Sequence, residues 1–175
     1  MTKHAAIGKA SEQILRANTP AEDKIDVWPL DGKKELYPPA SWAGKYDAVM
    51  ANMVLQCSAD QNIPEVLVGW RRCLRPDGEI CIMAPSLEWA AQQIRAEHPS
   101  PLTLVHLYGP TVDGLAHLTG FTMRRLRSLV EQAGFAVTLA RVNQYTAIVD
   151  GAEMPADVLT VIAMRKEPPE PYHAE

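Results

Sequence analysis

The alternation of apolar and polar residues predicts two buried strands, joined by one amphipathic helix, in the middle of the chain. Residues 46–52 and 79–84 are apolar on both faces, which is typical of strands in a parallel sheet that helices cover on both sides. Between them, apolar side chains recur at helical spacing, at Ile63, Val66, Leu67, Trp70 and Leu74. A Pro-Asp-Gly turn at residues 76–78 follows the helix. This order of elements predicts a βαβ unit, whose two strands run parallel.

The same patterns predict the remaining elements. Residues 11–18 favour a short helix with Ser11 as its cap, and residues 24–30 favour a strand. Two more helices are predicted at residues 86–98 and 122–134, the first of them stopped by Pro99 and Pro101, and two final strands at residues 135–142 and 157–165. Together these elements predict an α/β fold, with a mostly parallel sheet flanked by helices.

Length and composition predict one folded domain. The chain has 175 residues, of which 47% are apolar, and a formal net charge of −4, which is ordinary for a globular protein of this size. We expect a single domain over residues 1–166. Residues 167–175 form a charged, Pro-rich tail, for which we expect an extended or disordered conformation.

The acidic balance argues against nucleic acid as a main partner, because phosphate backbones require concentrated positive charge. The sequence contains two short arginine clusters, Arg71, Arg72 and Arg75, and Arg124, Arg125 and Arg127. Each is interpreted as the solvated face of an amphipathic helix.

The cysteines and the hydropathy pattern place further limits on function. Cys57, Cys73 and Cys81 have neither the spacing of a zinc site nor that of a disulfide framework, so we expect reduced thiols and no metal. No stretch approaches the ~18 apolar residues that a membrane span requires. We therefore expect a cytoplasmic protein without a membrane partner.

The carboxyl ends of the two central strands are the predicted ligand site, because open α/β sheets bind ligands there. The first strand ends at Ala51, Asn52 and Met53, and the second ends at Ala84, Pro85 and Ser86. Asn52 is polar in an otherwise apolar run, so it either contacts a ligand or finds a partner in the protein.

Four motifs in this order resemble class I S-adenosylmethionine-dependent methyltransferases, in particular the small, short-N-terminus group. They are YDAVMANMVL, WRRCLRPDGEICIMAP, HLTGFT and LVEQAGF, and the resemblance extends over residues 4–165. It implies a reduced class I fold of Rossmann-like topology. It also implies S-adenosylmethionine as the cofactor.

The resemblance implies a cofactor site at Gly8, Asn18, Asp31, Ala51 and Asn52. The glycine-rich loop of the superfamily is reduced here to Gly8. If residues 14–18 form the second strand, Asn18 stands where an acidic residue usually holds the ribose, whereas the periodicity favours a helix, and both alternatives stay open. Asp31 matches an acidic residue that binds the adenine amino group, although an Asp-Gly turn also explains it.

The resemblance also implies an acceptor site. His117, in HLTGFT, matches a family position and could act as a general base, since its ordinary pKa is about 6.5; alternatively it packs under the helix that follows. His106 and Tyr108 lie in residues 104–114, which we expect to form a loop, and with Ser86 they are candidate substrate contacts. Close relatives have a Glu-His pair where this chain has Gln56 and Cys57.

Two classes of function remain. The first is methyl transfer to an oxygen or nitrogen of a small-molecule or protein acceptor. The second is a catalytically inactive methyltransferase fold that serves as a binding or structural subunit, in a homo-oligomer or a larger assembly such as a virus particle. The single glycine of the cofactor loop, Asn18 and the Gln56-Cys57 pair favour the second class.

Overall fold

The computed structural model describes residues 2–30, 36–96, 100–109, 116–149 and 152–166. The strands are β1 (Lys3–Ile7), β2 (Lys24–Trp28), β3 (Tyr46–Asn52), β4 (Leu74–Pro85), β5 (Phe135–Val149) and β6 (Ala152–Arg165). The helices are α1 (Lys9–Asn18), α2 (Ile63–Cys73), α3 (Leu87–Arg95), α4 (Pro101–Tyr108) and α5 (Met123–Gln132). None of the helices in these ranges is long and apolar enough to span a membrane.

The strands form one mixed sheet in the order β2-β1-β3-β4-β6-β5. β1, β2, β3 and β4 run parallel to one another, whereas β6 runs antiparallel to both β4 and β5. This arrangement confirms the predicted α/β fold with a mostly parallel sheet. It also shows that β2, the second strand along the chain, lies directly beside β1.

The central βαβ unit follows the predicted pattern. β3 covers the predicted residues. The second strand is longer than predicted, because β4 begins at Leu74, so Leu74 belongs to the strand and not to the helical stripe, and the predicted turn at residues 76–78 lies within β4. The apolar stripe of α2 faces the sheet, with Trp70 fully buried. The Trp70 indole Nε1 donates a hydrogen bond of 2.8 Å to the Leu36 carbonyl, so this large side chain is buried without an unsatisfied donor.

The structure decides between two open alternatives and corrects one local prediction. Residues 14–18 are not a strand, because Lys9–Asn18 forms a single helix. Residues 104–108, predicted to belong to a loop over residues 104–114, are helical, because α4 extends from Pro101 to Tyr108. The Ser100 side chain accepts the Thr103 N–H and Pro101 occupies the first turn. Proline is tolerated there because the N–H that it lacks has no partner within a helix, so Pro101 starts α4 rather than merely ending the helix before it.

The β5–β6 hairpin extends beyond the rest of the sheet. β6 pairs with β4 only over residues 158–164, while its earlier residues pair with β5 alone. This projecting ribbon packs on α3 and α4 in a separate apolar cluster built on Trp89, Leu102 and Ala156, with Tyr145 against it. The ribbon therefore holds α4 near the carboxyl edge of the sheet.

Replacing Trp70 by alanine is expected to lower the free energy of unfolding by about 3–5 kcal/mol, because it leaves a cavity beside the sheet. Urea denaturation followed by circular dichroism measures this loss. Val68→Ala is the matched control on the same helix, since Val68 is 52% exposed and should change stability by no more than about 0.5 kcal/mol. Similar losses in the two variants would contradict the observed packing of α2.

Candidate functional site

The order of the sheet reverses between β1 and β3, because the chain goes from β1 to β2 on one side and from β3 to β4 on the other. Such a reversal opens a crevice at the carboxyl ends of the two strands, where α/β sheets bind ligands. The buried Ser11 lies in this crevice. Its hydroxyl donates to the Ile7 carbonyl (2.5 Å) and accepts from the Asn52 N–H (2.8 Å).

Gly8 links β1 to α1 and has backbone angles of φ 81° and ψ 162°. A side chain would strain this conformation, so the position requires glycine. The Gly8 N–H donates to the Trp28 carbonyl at 2.9 Å, which fixes the bend against β2. The amino end of α1 therefore lies at the carboxyl edge of the sheet, where the partial positive charge of a helix terminus suits an anionic group.

Three of the predicted cofactor residues come together at this edge. Gly8 follows β1, Ala51 pairs with Ile7 across β1 and β3, and Asn52 ends β3. The Asn52 side chain is half-buried and has no hydrogen-bond partner in the part of the chain that the structure describes. The next residue, Met53, has a φ of 55°, which is uncommon for a residue with a side chain and costs about 1–3 kcal/mol.

Asn18, another of the predicted cofactor residues, does not join this site. Asn18 is the last residue of α1, exposed, with its amide donating to the Ile14 carbonyl at 2.7 Å. Because α1 returns the chain to the opposite edge, where β2 begins, Asn18 lies at the end of α1 remote from Gly8, and the strand interpretation on which its role depended is wrong. Asp31 lies outside the described residues.

Trp28, to which the sequence analysis gave no role, lies at the carboxyl end of β2 beside Gly8. The resemblance implies an acidic residue at the end of the second strand, and this strand is β2, which ends at Trp28. The indole packs edge-on against Trp42, with ring centroids 6.0 Å apart. The described residues therefore present an aromatic ring at the expected place of a carboxylate. Recognising this from the sequence required knowing that residues 24–28 are the second strand.

A second part of the site is a cavity of about 270 Å³ beside the end of β4. Its walls come from α4 and from residues 117–120, together with Pro85 and Leu87. The side chains of His106, Tyr108 and His117 line it, which confirms that these three predicted residues lie close together. The described residues that line it include no lysine, arginine, aspartate or glutamate.

His117 occupies this cavity as a neutral base. Its Nδ1 lies 2.9 Å from the His106 carbonyl, and because a carbonyl only accepts, Nδ1 carries the proton and donates it. Nε2 is then an acceptor, 3.3 Å from the amide nitrogen of Gln56. Burial lowers the pKa of His117, with the hydrogen bond to His106 opposing it.

His106 is mainly a positioning residue. Its Nδ1 lies 3.1 Å from the Leu102 carbonyl, and its ring packs at 4.8 Å from Trp89 and at 6.0 Å from Tyr145. Burial lowers its pKa, while hydrogen bonds with the backbone of Leu102 and Asp157 act in the opposite direction. A fixed ring on α4 keeps the His106 carbonyl in place for His117.

The two remaining substrate predictions have different outcomes. Tyr108 is 69% exposed and lies at the cavity wall, where its ring is accessible to a ligand. Ser86 is buried, and its hydroxyl accepts the Trp89 N–H at 3.1 Å. That bond caps α3, so the structure gives the Ser86 hydroxyl a structural partner.

Gln56 and Gly109 also shape the cavity. The Gln56 carbonyl accepts the N–H groups of Leu118 and Thr119 (2.8 and 3.1 Å), which holds this segment against β3. The Gln56 Oε1 atom is buried without a partner among the described residues. A Cβ atom at Gly109 would lie 2.9 Å from His117 Nε2, so only glycine leaves room for the imidazole.

Comparisons with known proteins identify the fold. No protein-family model and no curated protein matches the chain. Among solved structures, a SAM-dependent methyltransferase from Methanosarcina mazei is 13% identical, with a TM-score of 0.60 over 94% of this chain and 92% of that chain. The 16S rRNA (adenine(1408)-N(1))-methyltransferase W203A mutant from Catenulisporales acidiphilia is 17% identical, with a TM-score of 0.55 over 97% and 87%.

A third similar structure contains ligands. The Burkholderia thailandensis 1,6-didemethyltoxoflavin-N1-methyltransferase, with bound 1,6-didemethyltoxoflavin and S-adenosylhomocysteine, is 15% identical, with a TM-score of 0.55 over 95% of this chain and 72% of that chain. These similarities show that the chain has the class I SAM methyltransferase fold. At such identities they show the fold alone.

The lowered pKa values of His106 and His117 predict a loss of stability in mild acid. The unfolded chain binds protons at these imidazoles near the ordinary pKa of 6.5, before the folded chain does, so the free energy of unfolding should fall as the pH drops below that value. Urea denaturation between pH 7.5 and 5.5 measures this slope. His117→Asn keeps a donor for the His106 carbonyl and should reduce the slope; an unchanged slope would contradict the burial of a neutral His117.

Proposed function

We propose that this protein transfers a methyl group from S-adenosylmethionine to an oxygen or nitrogen atom of an acceptor that binds beside His117. The observation that carries the proposal is the position of the two parts of the site. The crevice lies at the end of β3, beside Asn52, and the cavity lies at the end of β4, beside Pro85. The two strands are neighbours in the sheet, with Asn52 paired to Met83. A donor and an acceptor bound there would lie along one edge of the sheet.

The residues of the crevice fit part of the cofactor. The amino end of α1, with Gly8 and the exposed Lys9, would hold the carboxylate of the methionine part. The Asn52 amide, which can donate and accept, and the Trp28 ring would contact the nucleoside. The cofactor supplies the methyl group on a sulfonium that is already reactive, so the protein mainly needs to position the acceptor.

The residues of the cavity suit a neutral acceptor. Leucine side chains at positions 87, 107 and 118 line it and restrict water around the reacting atoms. His117 Nε2 would receive the proton that the acceptor oxygen or nitrogen gives up when that atom bonds to the methyl carbon and the bond from this carbon to sulfur breaks, leaving a neutral thioether. Gln56 must then give up its contact with Nε2. The imidazole holds the proton until solvent removes it.

Trp28 favours a second candidate function. Among the described residues β2 ends in Trp28 and not in a carboxylate, so these residues offer the ribose hydroxyls no charge-assisted hydrogen bond of the kind that an acidic residue would accept. A chain with this fold and no cofactor would serve as a binding or structural subunit of a larger assembly. Cofactor binding distinguishes the two candidates.

Isothermal titration with S-adenosylmethionine and S-adenosylhomocysteine is expected to show micromolar binding. Gly8→Ala should abolish it, because the new side chain strains the bend that positions the amino end of α1. Gly44→Ala is the matched control, since Gly44 also has a positive φ (65°) but has nothing within 4 Å of the added Cβ atom. Absence of binding up to millimolar concentration by the folded protein would leave the structural role.

His117→Asn is expected to reduce the rate of methyl transfer at pH 7.5 by about 10²–10⁴-fold, the usual contribution of a general base. Radiolabelled S-adenosylmethionine and a panel of small phenols and nitrogen heterocycles provide the assay. The cofactor affinity of the variant should equal that of the wild type, because His117 lies in the acceptor cavity. A variant that retains the full rate would remove His117 from the chemistry.

A further inference from the structure

Three arginines meet at the edge of the sheet opposite the candidate site. α2 ends there with Arg71 and Arg72, and the antiparallel β6 ends there with Arg165. These side chains line a depression of about 510 Å³ whose other walls are Ala43, Gly44 and Val68. We refer to it as the arginine depression.

Two of the guanidinium groups are held in place by backbone carbonyls. Arg71 donates from Nε to the Gly134 carbonyl (3.0 Å) and from Nη2 to the Lys166 carbonyl (2.5 Å). Arg165 donates from Nη1 to the Leu74 carbonyl. A carbonyl orients a guanidinium without neutralising its charge, and each group keeps further N–H donors, since an arginine has five.

None of the three arginines pairs with a carboxylate in the described ranges. Other arginines there do so, namely Arg16, Arg75, Arg125 and Arg127. In addition, the Arg165 Nε atom is buried without an acceptor among the described residues, and a buried donor without a partner is costly. The described residues that line the depression include no acidic side chain, so these walls supply no counter-charge to the three arginines.

This arrangement differs from the helix surface that the sequence analysis assigned to the first arginine cluster. Arg75 pairs with Asp47, as expected for a solvated residue. Arg71, by contrast, is turned onto the carbonyls of Gly134 and Lys166, and Arg165 arrives from a strand far away in the sequence. Three cationic groups drawn from two elements around one depression indicate a binding site.

We propose that the arginine depression binds a phosphoryl group. Planar guanidinium groups match the oxygens of phosphate in bidentate hydrogen bonds, and groups already fixed by the backbone lose less entropy on binding. The ligand is either a small phosphorylated molecule or the phosphate of a nucleic acid, which share this chemistry. Its site is separate from the crevice at Gly8 and does not depend on methyl transfer.

Isothermal titration of the full chain with sodium pyrophosphate at low ionic strength tests the proposal. We expect binding that Arg72→Gln weakens about tenfold, which corresponds to the loss of about one charge-assisted hydrogen bond. The Arg72 side chain is exposed and makes no hydrogen bond or ion pair with the described residues, while its backbone carbonyl, which accepts the Gly44 N–H, is kept in the variant, so the substitution should leave stability unchanged. Arg95→Gln, an equal change of charge at an exposed residue of α3, should leave the affinity unchanged.

Two results would overturn the proposal. The first is an affinity that Arg72→Gln leaves unchanged or that Arg95→Gln lowers equally, because binding would then follow bulk charge. The second is binding that appears only after Glu167→Gln and Glu170→Gln are combined, because the chain's own carboxylates would then be the anions. A parallel titration with a single-stranded oligonucleotide distinguishes the sources: binding tighter than that of pyrophosphate, with a steep salt dependence, indicates nucleic acid, and equal or weaker binding indicates a small phosphorylated ligand.

Discussion

The hydroxyl group of Ser11 holds together the edge of the sheet on which the candidate site depends. It donates to the end of β1 and accepts from the end of β3, the two strands between which the order of the sheet reverses. Parallel strands tend to splay where their pairing ends, and this single side chain satisfies one backbone group of each strand inside the protein. The bend at Gly8 and the start of α1 lie beside the β1 end of that attachment, and the half-buried Asn52 side chain lies at its β3 end.

The sequence predicts most of the central fold, because its signals there are local. The buried runs of β3 and β4 and the stripe of α2 have strong periodicities, and the burial of Trp70 follows from that stripe. Residues 14–18 are ambiguous because short apolar runs suit either a helix or a strand. The resemblance to the family implies a strand there, whereas the structure has a helix. At Pro101 the sequence predicts the end of one helix, and the structure shows that this proline also begins α4.

The candidate site is less predictable, since it depends on which distant residues the fold brings together. His106, Tyr108 and His117 could be named from their motifs, but the tautomer of His117 is set by a carbonyl eleven residues away and its second partner is Gln56. The position of Trp28 could be predicted only with knowledge of the strand order. The arginine depression could be predicted only by knowing that β6 runs antiparallel and so brings Arg165 to the end of α2. No periodicity in the sequence contains such information.

The projecting β5–β6 ribbon supports the wall of the cavity, while the pairing of β1 to β4 forms the crevice, so separate parts of the sheet build the two parts of the candidate site. Its far part pairs with no other strand, yet Tyr145 packs against His106 and Ala156 packs with Trp89 and Leu102. Insertions or replacements in this ribbon can therefore remodel the wall behind the cavity while β1 to β4, and the crevice between them, keep their own pairing. In proteins with this architecture, sequence changes in the ribbon can alter the shape of the cavity while the central strands keep their sequence and pairing.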